Sequence, residues 1–236
     1  MTVDGKAVSN AQILSPDNEF WIFGYGSLIW KPPPSFDRRV PGYIKGYVRR
    51  FWQVSLPTCQ KLTSSSPGRV VTLIERSAWD ILTDHHSVDE AVWGVVYRIK
   101  SSEVESVKEY LDIREINGYS VHQVEVHQSE PTLPTITAIV YIGTPSNPQF
   151  VGSPPPNATD LARRIYYCRG PSGENREYLY QLHKSLIELC PDIKDNHVHD
   201  LQLRVALIEE SEAGVGCEYN TNDVRPQNTD DEEVEK

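Results

Sequence analysis

No apolar run in the chain approaches the roughly 18 residues that a membrane helix needs, so no membrane partner is expected. The opening MTVDGKAVSNAQIL has neither a basic n-region nor an apolar h-region, and no secretory signal is expected there. Cysteine is scarce. Cys59, Cys168, Cys190 and Cys217 are scattered, without CxxC spacing or a framework pattern, which points to a reduced, cytoplasmic protein. A clustered basic face is missing too, so nucleic acid is not an expected partner. Arg38-Arg39 and Arg49-Arg50 are isolated pairs, expected on strand surfaces.

What is present suits a globular body. Hydrophobic residues make up 39% of 236 positions and charged ones 24%, enough for a sizeable core. The net charge of −10 is unevenly spread: residues 218–236 hold seven acids and two bases. That tail ends NTDDEEVEK, with almost nothing apolar to bury, and should be solvated and disordered. The expected organisation is a flexible segment at 1–17, one domain at 18–210 and an acidic tail at 211–236.

Strand signals dominate the first half. Residues 19–26, 40–55, 69–75, 91–99, 120–127 and 136–143 are rich in β-branched and aromatic residues. Residues 56–68, LPTCQKLTSSSPG, read as a loop. Helical periodicity marks 103–114, 158–168, 174–190 and 195–210, and Ser102 with Glu105 suits a capping box. Strands first and helices late, without regular βαβ alternation, argue for an α+β fold with a strongly curved or barrel-like sheet.

Two features carry candidate chemistry. FGYGSLIW at 23–30 interrupts an apolar strand with Gly24, Gly26 and Ser27. Glycine weakens a strand unless the backbone bends sharply or approaches something closely. The pattern is neither a nucleophile elbow nor a Walker loop. It could be a plain turn, or a turn whose N–H groups converge on an anion. The second feature is Glu115. In the helix at 103–114, Val104, Val107 and Leu111 form an apolar stripe, and three further turns from Val104 return Glu115 to that face. A carboxylate there is either paired with an arginine such as Arg114, frayed into solvent, or a general base raised by desolvation.

Other clusters say less. Gly170-Pro171-Ser172-Gly173 opens a helix as a ligand-binding terminus or an ordinary cap. His85-His86 with Asp84 and Asp89, and His197 with His199 and Asp200, lack zinc spacing, so no metal is expected. Cys168 and Cys190 fall at helix ends, where buried structural cysteines are expected.

Several pieces then belong together. FGYGSLIWKPP, RRFWQ (49–53), PGRVVTL (67–73), WGVVYRI (93–99), YLDIREINGY (110–119), VYIGTPSNPQFVG (140–152) and GPSGENREYL (170–179) occur in this order. The set resembles the ChaC family of glutathione-specific gamma-glutamylcyclotransferases, from about residue 21 to about 208. The resemblance implies a gamma-glutamylcyclotransferase-like α+β fold over 18–210, with a barrel-like mixed sheet and flanking helices. It implies cleavage of glutathione to 5-oxoproline and Cys-Gly, without metal or organic cofactor; no obligate protein partner is evident from the sequence. It puts the substrate loop on Ile22, Phe23, Gly24, Tyr25, Gly26, Ser27 and Leu28, the catalytic carboxylate on Glu115 and a pocket residue on Tyr178. One departure stands out. After RRFWQ the family continues with a small residue and S-T-D-H-R-G, where this chain has Val54-Ser55-Leu56-Pro57-Thr58-Cys59-Gln60. That change leaves two alternatives: a γ-glutamyl binder with impaired chemistry, or a cyclotransferase for other γ-glutamyl amines.

Overall fold

FWIFG forms the first strand, β1 (Phe20–Gly24), and all five residues are buried. In chain order there follow β2 (Phe36–Ile44), β3 (Tyr47–Ser55), β4 (Gly68–Glu75), the short α1 (Arg76–Trp79), β5 (Val92–Ile99) and α2 (Val104–Arg114). Then come β6 (Ser120–Gln128), β7 (Ile136–Ile142), α3 (Ala158–Tyr167), the two-residue strands β8 (Arg169–Gly170) and β9 (Gly173–Glu174), α4 (Asn175–Leu189) and α5 (Asn196–Glu218). This computed structural model describes residues 19–55, 67–114, 119–151, 157–170, 173–192 and 194–218.

The expected curved sheet is a closed barrel in the order β1-β5-β2-β6-β7. Antiparallel pairing sets Phe20 opposite Ile99 and Gly24 opposite Val95. A parallel contact between β1 and β7, Ile22 opposite Ile139, closes the ring and removes the open edges. The β3–β4 hairpin is a separate two-stranded sheet. It is sandwiched into the main core, where Phe23 and Val96 of the barrel join Phe51 and Leu73 of the hairpin and Leu182 and Leu201 of the helices. A smaller core on another side of the barrel joins Phe20, Ile22 and Leu28 to Val107 and Leu111 of α2. The stripe read from α2 is therefore its packed face.

Four sequence expectations need correction or adjustment. Arg49 and Arg50 are not on a surface; they are 2% and 0% exposed. Burial of β3 on both faces forces each arginine to find acids from distant segments: Arg50 pairs with Asp84 at 2.5 Å and Arg49 with Asp195 at 3.4 Å. Ser102 does not cap α2. It lies in a 3-10 turn over 101–103 and donates to the Glu103 carboxylate at 3.3 Å. The complete capping box is at α4, where Glu174 and Glu177 reciprocate. Helix α5 continues to Glu218, beyond the expected boundary at 210. Cys168 is buried as expected but disulfide-bonded, which corrects the picture of a wholly reduced chain; Cys190 is free.

Candidate functional site

At Gly24 the barrel strand ends and the chain turns through Tyr25 and Gly26 into a single 3-10 turn, Ser27–Ile29. The Ile29 N–H donates to the Gly26 carbonyl at 2.9 Å, and the Lys31 N–H to the Ser27 carbonyl at 2.8 Å. The turn doubles back tightly. A Cβ on Gly24 would lie 2.7 Å from the Leu28 Cβ, so a side chain there cannot coexist with this turn. A Cβ on Gly26 would lie 2.9 Å from the Tyr178 hydroxyl and 3.1 Å from a Val71 methyl. The protein's own packing therefore excludes a side chain at Gly24 and crowds one at Gly26, before any ligand is considered.

Two tyrosine hydroxyls pin the turn, one from its own Tyr25 and one from Tyr97 on a neighbouring strand. Tyr25 donates its hydroxyl to the Tyr141 carbonyl on β7 at 2.9 Å. Tyr97 on β5 donates to the Leu28 carbonyl at 2.9 Å, and burial pushes its pKa up, so it remains a neutral donor. The turn is thus fixed to the barrel from below, as preorganised binding requires.

Above it stands Tyr178, one turn into α4. Its ring meets Trp30 edge-on at 5.3 Å and Phe51 at 5.9 Å. Helix α4 is set in place by Asn175, whose side chain bonds both backbone groups of Arg69 on β4. The GPSG element is in part a tiny antiparallel ribbon, β8 with β9, ahead of that helix.

The predicted site residues are distributed as follows. Ile22, Phe23 and Leu28 bury their side chains in the two cores, which leaves their backbones to contribute to a site. Tyr25, Gly26 and Tyr178 come together with Gly24 and the half-buried Ser27. Glu115 lies outside the described residues, as does the departed loop at 56–66. The helix that leads to Glu115 packs Val107 and Leu111 in the same small core as Leu28, so the α2 stripe abuts the turn. Sequence reading missed Tyr97, Tyr141 and Val71, whose strands reach the turn from far along the chain. It also missed Arg49, although a charge set between Val48 and Phe51 is a signal that a partner is needed.

A buried polar chain lies behind the hairpin. The Phe51 N–H donates to His197 Nε2 at 3.1 Å, His197 Nδ1 faces His86 Nδ1 at 3.0 Å, and His86 Nε2 meets Asp200 at 2.9 Å. Burial and the neighbouring Arg50 charge hold His197 well below the usual imidazole range. Among the described residues no group of three or more His, Cys, Asp or Glu side chains could hold a metal.

Residues 20–208 match the profile of the ChaC-like protein family. The chain is 44% identical over 196 residues to the glutathione-specific gamma-glutamylcyclotransferase of Schizosaccharomyces pombe, covering 81% of this chain and 95% of that protein. It is 37% identical to human glutathione-specific gamma-glutamylcyclotransferase 1, covering 75% and 74%. A crystal structure described as a gamma-glutamyl cyclotransferase specific to glutathione, from yeast, superposes with a TM-score of 0.66 at 33% identity, covering 80% of this chain and 96% of that one.

Proposed function

Because the chain belongs to the ChaC-like protein family, we propose that it is a glutathione-specific gamma-glutamylcyclotransferase. The γ-glutamyl α-amine attacks its own γ-carbonyl, a five-membered ring closes, and the amide bond to cysteine breaks. The products are 5-oxoproline and Cys-Gly. No protein nucleophile is needed. Holding the reactive conformer contributes on the order of 7–11 kcal/mol in well-oriented cases, so the protein's tasks are grip, proton transfer and charge stabilisation.

In this reading the turn from Ile22 to Leu28 grips the γ-glutamyl end, with peptide N–H groups of Gly24, Tyr25, Gly26 and Ser27 donating to its carboxylate or to the developing oxyanion. Glu115 takes a proton from the substrate ammonium and returns one to the departing cysteinyl nitrogen. Tyr178 walls the pocket. The observation that carries the reading is the convergence on one turn: α2, the helix running toward Glu115, packs beneath Leu28, and the Tyr178 hydroxyl stands against Gly26.

The test is incubation of purified protein with reduced glutathione, following 5-oxoproline and Cys-Gly by mass spectrometry. Both products are expected at matching rates, with Glu115→Gln folded and turnover reduced about 10²–10⁴-fold. Retained turnover in a folded Glu115→Gln protein removes that residue from the mechanism. The departure at 54–60 favours a second reading, a γ-glutamyl binder with little chemistry. Tight glutathione binding without product is its signature, and faster turnover of γ-glutamyl amino acids would instead shift the substrate class.

A cytoplasmic location belongs to the same proposal, since glutathione is the thiol pool of that compartment, and the Cys168 disulfide, on a residue 1% exposed, is shielded from reduction there. Cell fractionation that found the protein within a secretory lumen would overturn it.

A further inference from the structure

Arg49 has no role in the reading above, yet it occupies the face of the hairpin that meets the glycine turn. On β3 and β4 it pairs with Leu73, and side chains alternate between faces. Arg50 and Thr72 take the other face and bond Asp84 and Gly143. On the Arg49 side, Phe51 packs on Tyr178 and Val71 abuts Gly26. The guanidinium is therefore on the same surface as the candidate pocket.

Among the described residues its bonding is incomplete. Nη2 donates to the Trp93 carbonyl. Nε is 3.4 Å from the Asp195 carboxylate, an ion pair without hydrogen-bond alignment. Among the described residues, Nε and Nη1 have no hydrogen-bond partner, on a side chain 1% exposed. A guanidinium has five donors in a fixed fork, and buried donors left unmatched are costly. Among the described residues, the charged and titratable groups near it include Asp195, Asp89, His197 and the phenols of Tyr25 and Tyr178. Burial and the Asp195 charge push the Asp89 carboxyl up, while Arg50 and hydrogen bonds from Asn196 pull it down. Asp195 pairs with Arg49 from the α5 side, with Asp89 nearby, while the phenols of Tyr25 and Tyr178 flank it toward the turn.

We infer that Arg49 is the cationic contact for the α-carboxylate of the γ-glutamyl group, donating from Nη1 in the cleft bounded by Tyr25, Gly26 and Tyr178. This rests on the γ-glutamyl reading of the site and adds a specificity-determining side chain to it. The pairing has a chemical use. A neighbouring carboxylate favours the ammonium form of the amine it adjoins, and pairing that carboxylate with Arg49 weakens the effect. The amine then gives up its proton more readily and becomes the nucleophile.

The test uses the full chain and two probes, 5-oxoproline and 5-oxoprolinamide, which differ only in the carboxylate. Calorimetry on the wild type should show the acid binding about ten- to a hundredfold more tightly, the range for hydrogen bonds to a charged group. Arg49→Gln should erase that preference and raise KM for glutathione by a similar factor, with Arg49→Lys between. A merely structural arginine would weaken both probes alike. Equal binding of acid and amide to the wild type overturns the inference even if no Arg49 variant folds. So does an Arg49→Gln protein that keeps the preference. A third probe, glutathione amidated at its glycine carboxylate, should bind the wild type as glutathione does; if only that change mimics loss of Arg49, the arginine reads the wrong end and the inference fails. Absence of product from the wild type with the acid preference intact would sink the proposed activity alone.

Discussion

The side chain of Asn175 holds both backbone groups of Arg69, accepting from its N–H at 2.8 Å and donating to its carbonyl at 2.6 Å. One amide thereby completes β4 as a neighbouring strand would, and it is the first residue of α4. Three residues later the same helix delivers Tyr178 to Gly26. Asn175→Ala leaves two buried backbone groups unmatched, at about 2–4 kcal/mol. For a chain of this size that lowers Tm by about 5–15 °C. Asn175→Asp keeps only the acceptor and should fall between. Thermal melts of both variants check this, and a change below 2 °C in Asn175→Ala would refute it.

Gly26 and Tyr178 form a pair that can be tested by rescue. Gly26→Ala sets a methyl 2.9 Å from the Tyr178 hydroxyl and 3.1 Å from Val71. Displacing the turn by even 1 Å is expected to reduce kcat/KM about a hundredfold. Tyr178→Phe removes the closest obstacle, so the double variant should recover part of that loss despite lacking the hydroxyl. The expected coupling in a double-mutant cycle is at least 0.5 kcal/mol, about the smallest that contacting residues show. Strict additivity would mean the two groups do not touch.

Asp84 sets the response to acid. Burial raises its carboxyl, but hydrogen bonds from His86, Arg50 and Trp79 together hold it well below the usual carboxylate range. A depressed folded pKa contributes stability that is present above about pH 3.9 and is lost as pH falls below it. Asp84→Asn strands the fully buried Arg50 charge, costing about 3–5 kcal/mol at neutral pH. Chemical denaturation from pH 7 to pH 2.5 should show this loss at pH 7 and a shallower acid decline in the variant.

His197 acts at milder pH. It accepts from the Phe51 N–H, so in the folded state its ring stays neutral with the proton on Nδ1. The unfolded chain takes up a proton near pH 6.5 that the folded chain refuses. Stability from this residue therefore falls as pH drops below about 6.5. His197→Gln retains an acceptor for Phe51 and should flatten the stability profile between pH 6.5 and 4.5. An unchanged slope there would show that His197 does not carry the linkage.

The strands were legible because apolar, β-branched runs mark them, and the stripe of α2 because Val104, Val107 and Leu111 repeat at helical spacing. Closure was not. Nothing local in β1 announces that Ile22 will face Ile139 in parallel. The arginines misled for a related reason. On a strand covered on both faces the alternation rule gives no outside, and the acids that neutralise Arg49 and Arg50 come from the segments around 195 and 84. At the site, the glycine turn was legible as a break in a strand. Its clamps were not, since Tyr25 reaches a carbonyl 116 residues away. The α4 cap escaped notice because its N-cap is Glu174, outside the usual serine, threonine, aspartate and asparagine set.

The parallel seam between β1 and β7 has a consequence in time. Chains emerge from the ribosome at about 5–20 residues per second. Ile22 is therefore made on the order of 6–25 s before Ile139, the residue it must sit beside. Tyr178, the upper wall of the turn, is made later still. The earliest strand to be synthesised is thus among the last to be enclosed, and the turn gains its Tyr178 wall only after about three quarters of the 236 residues have been made.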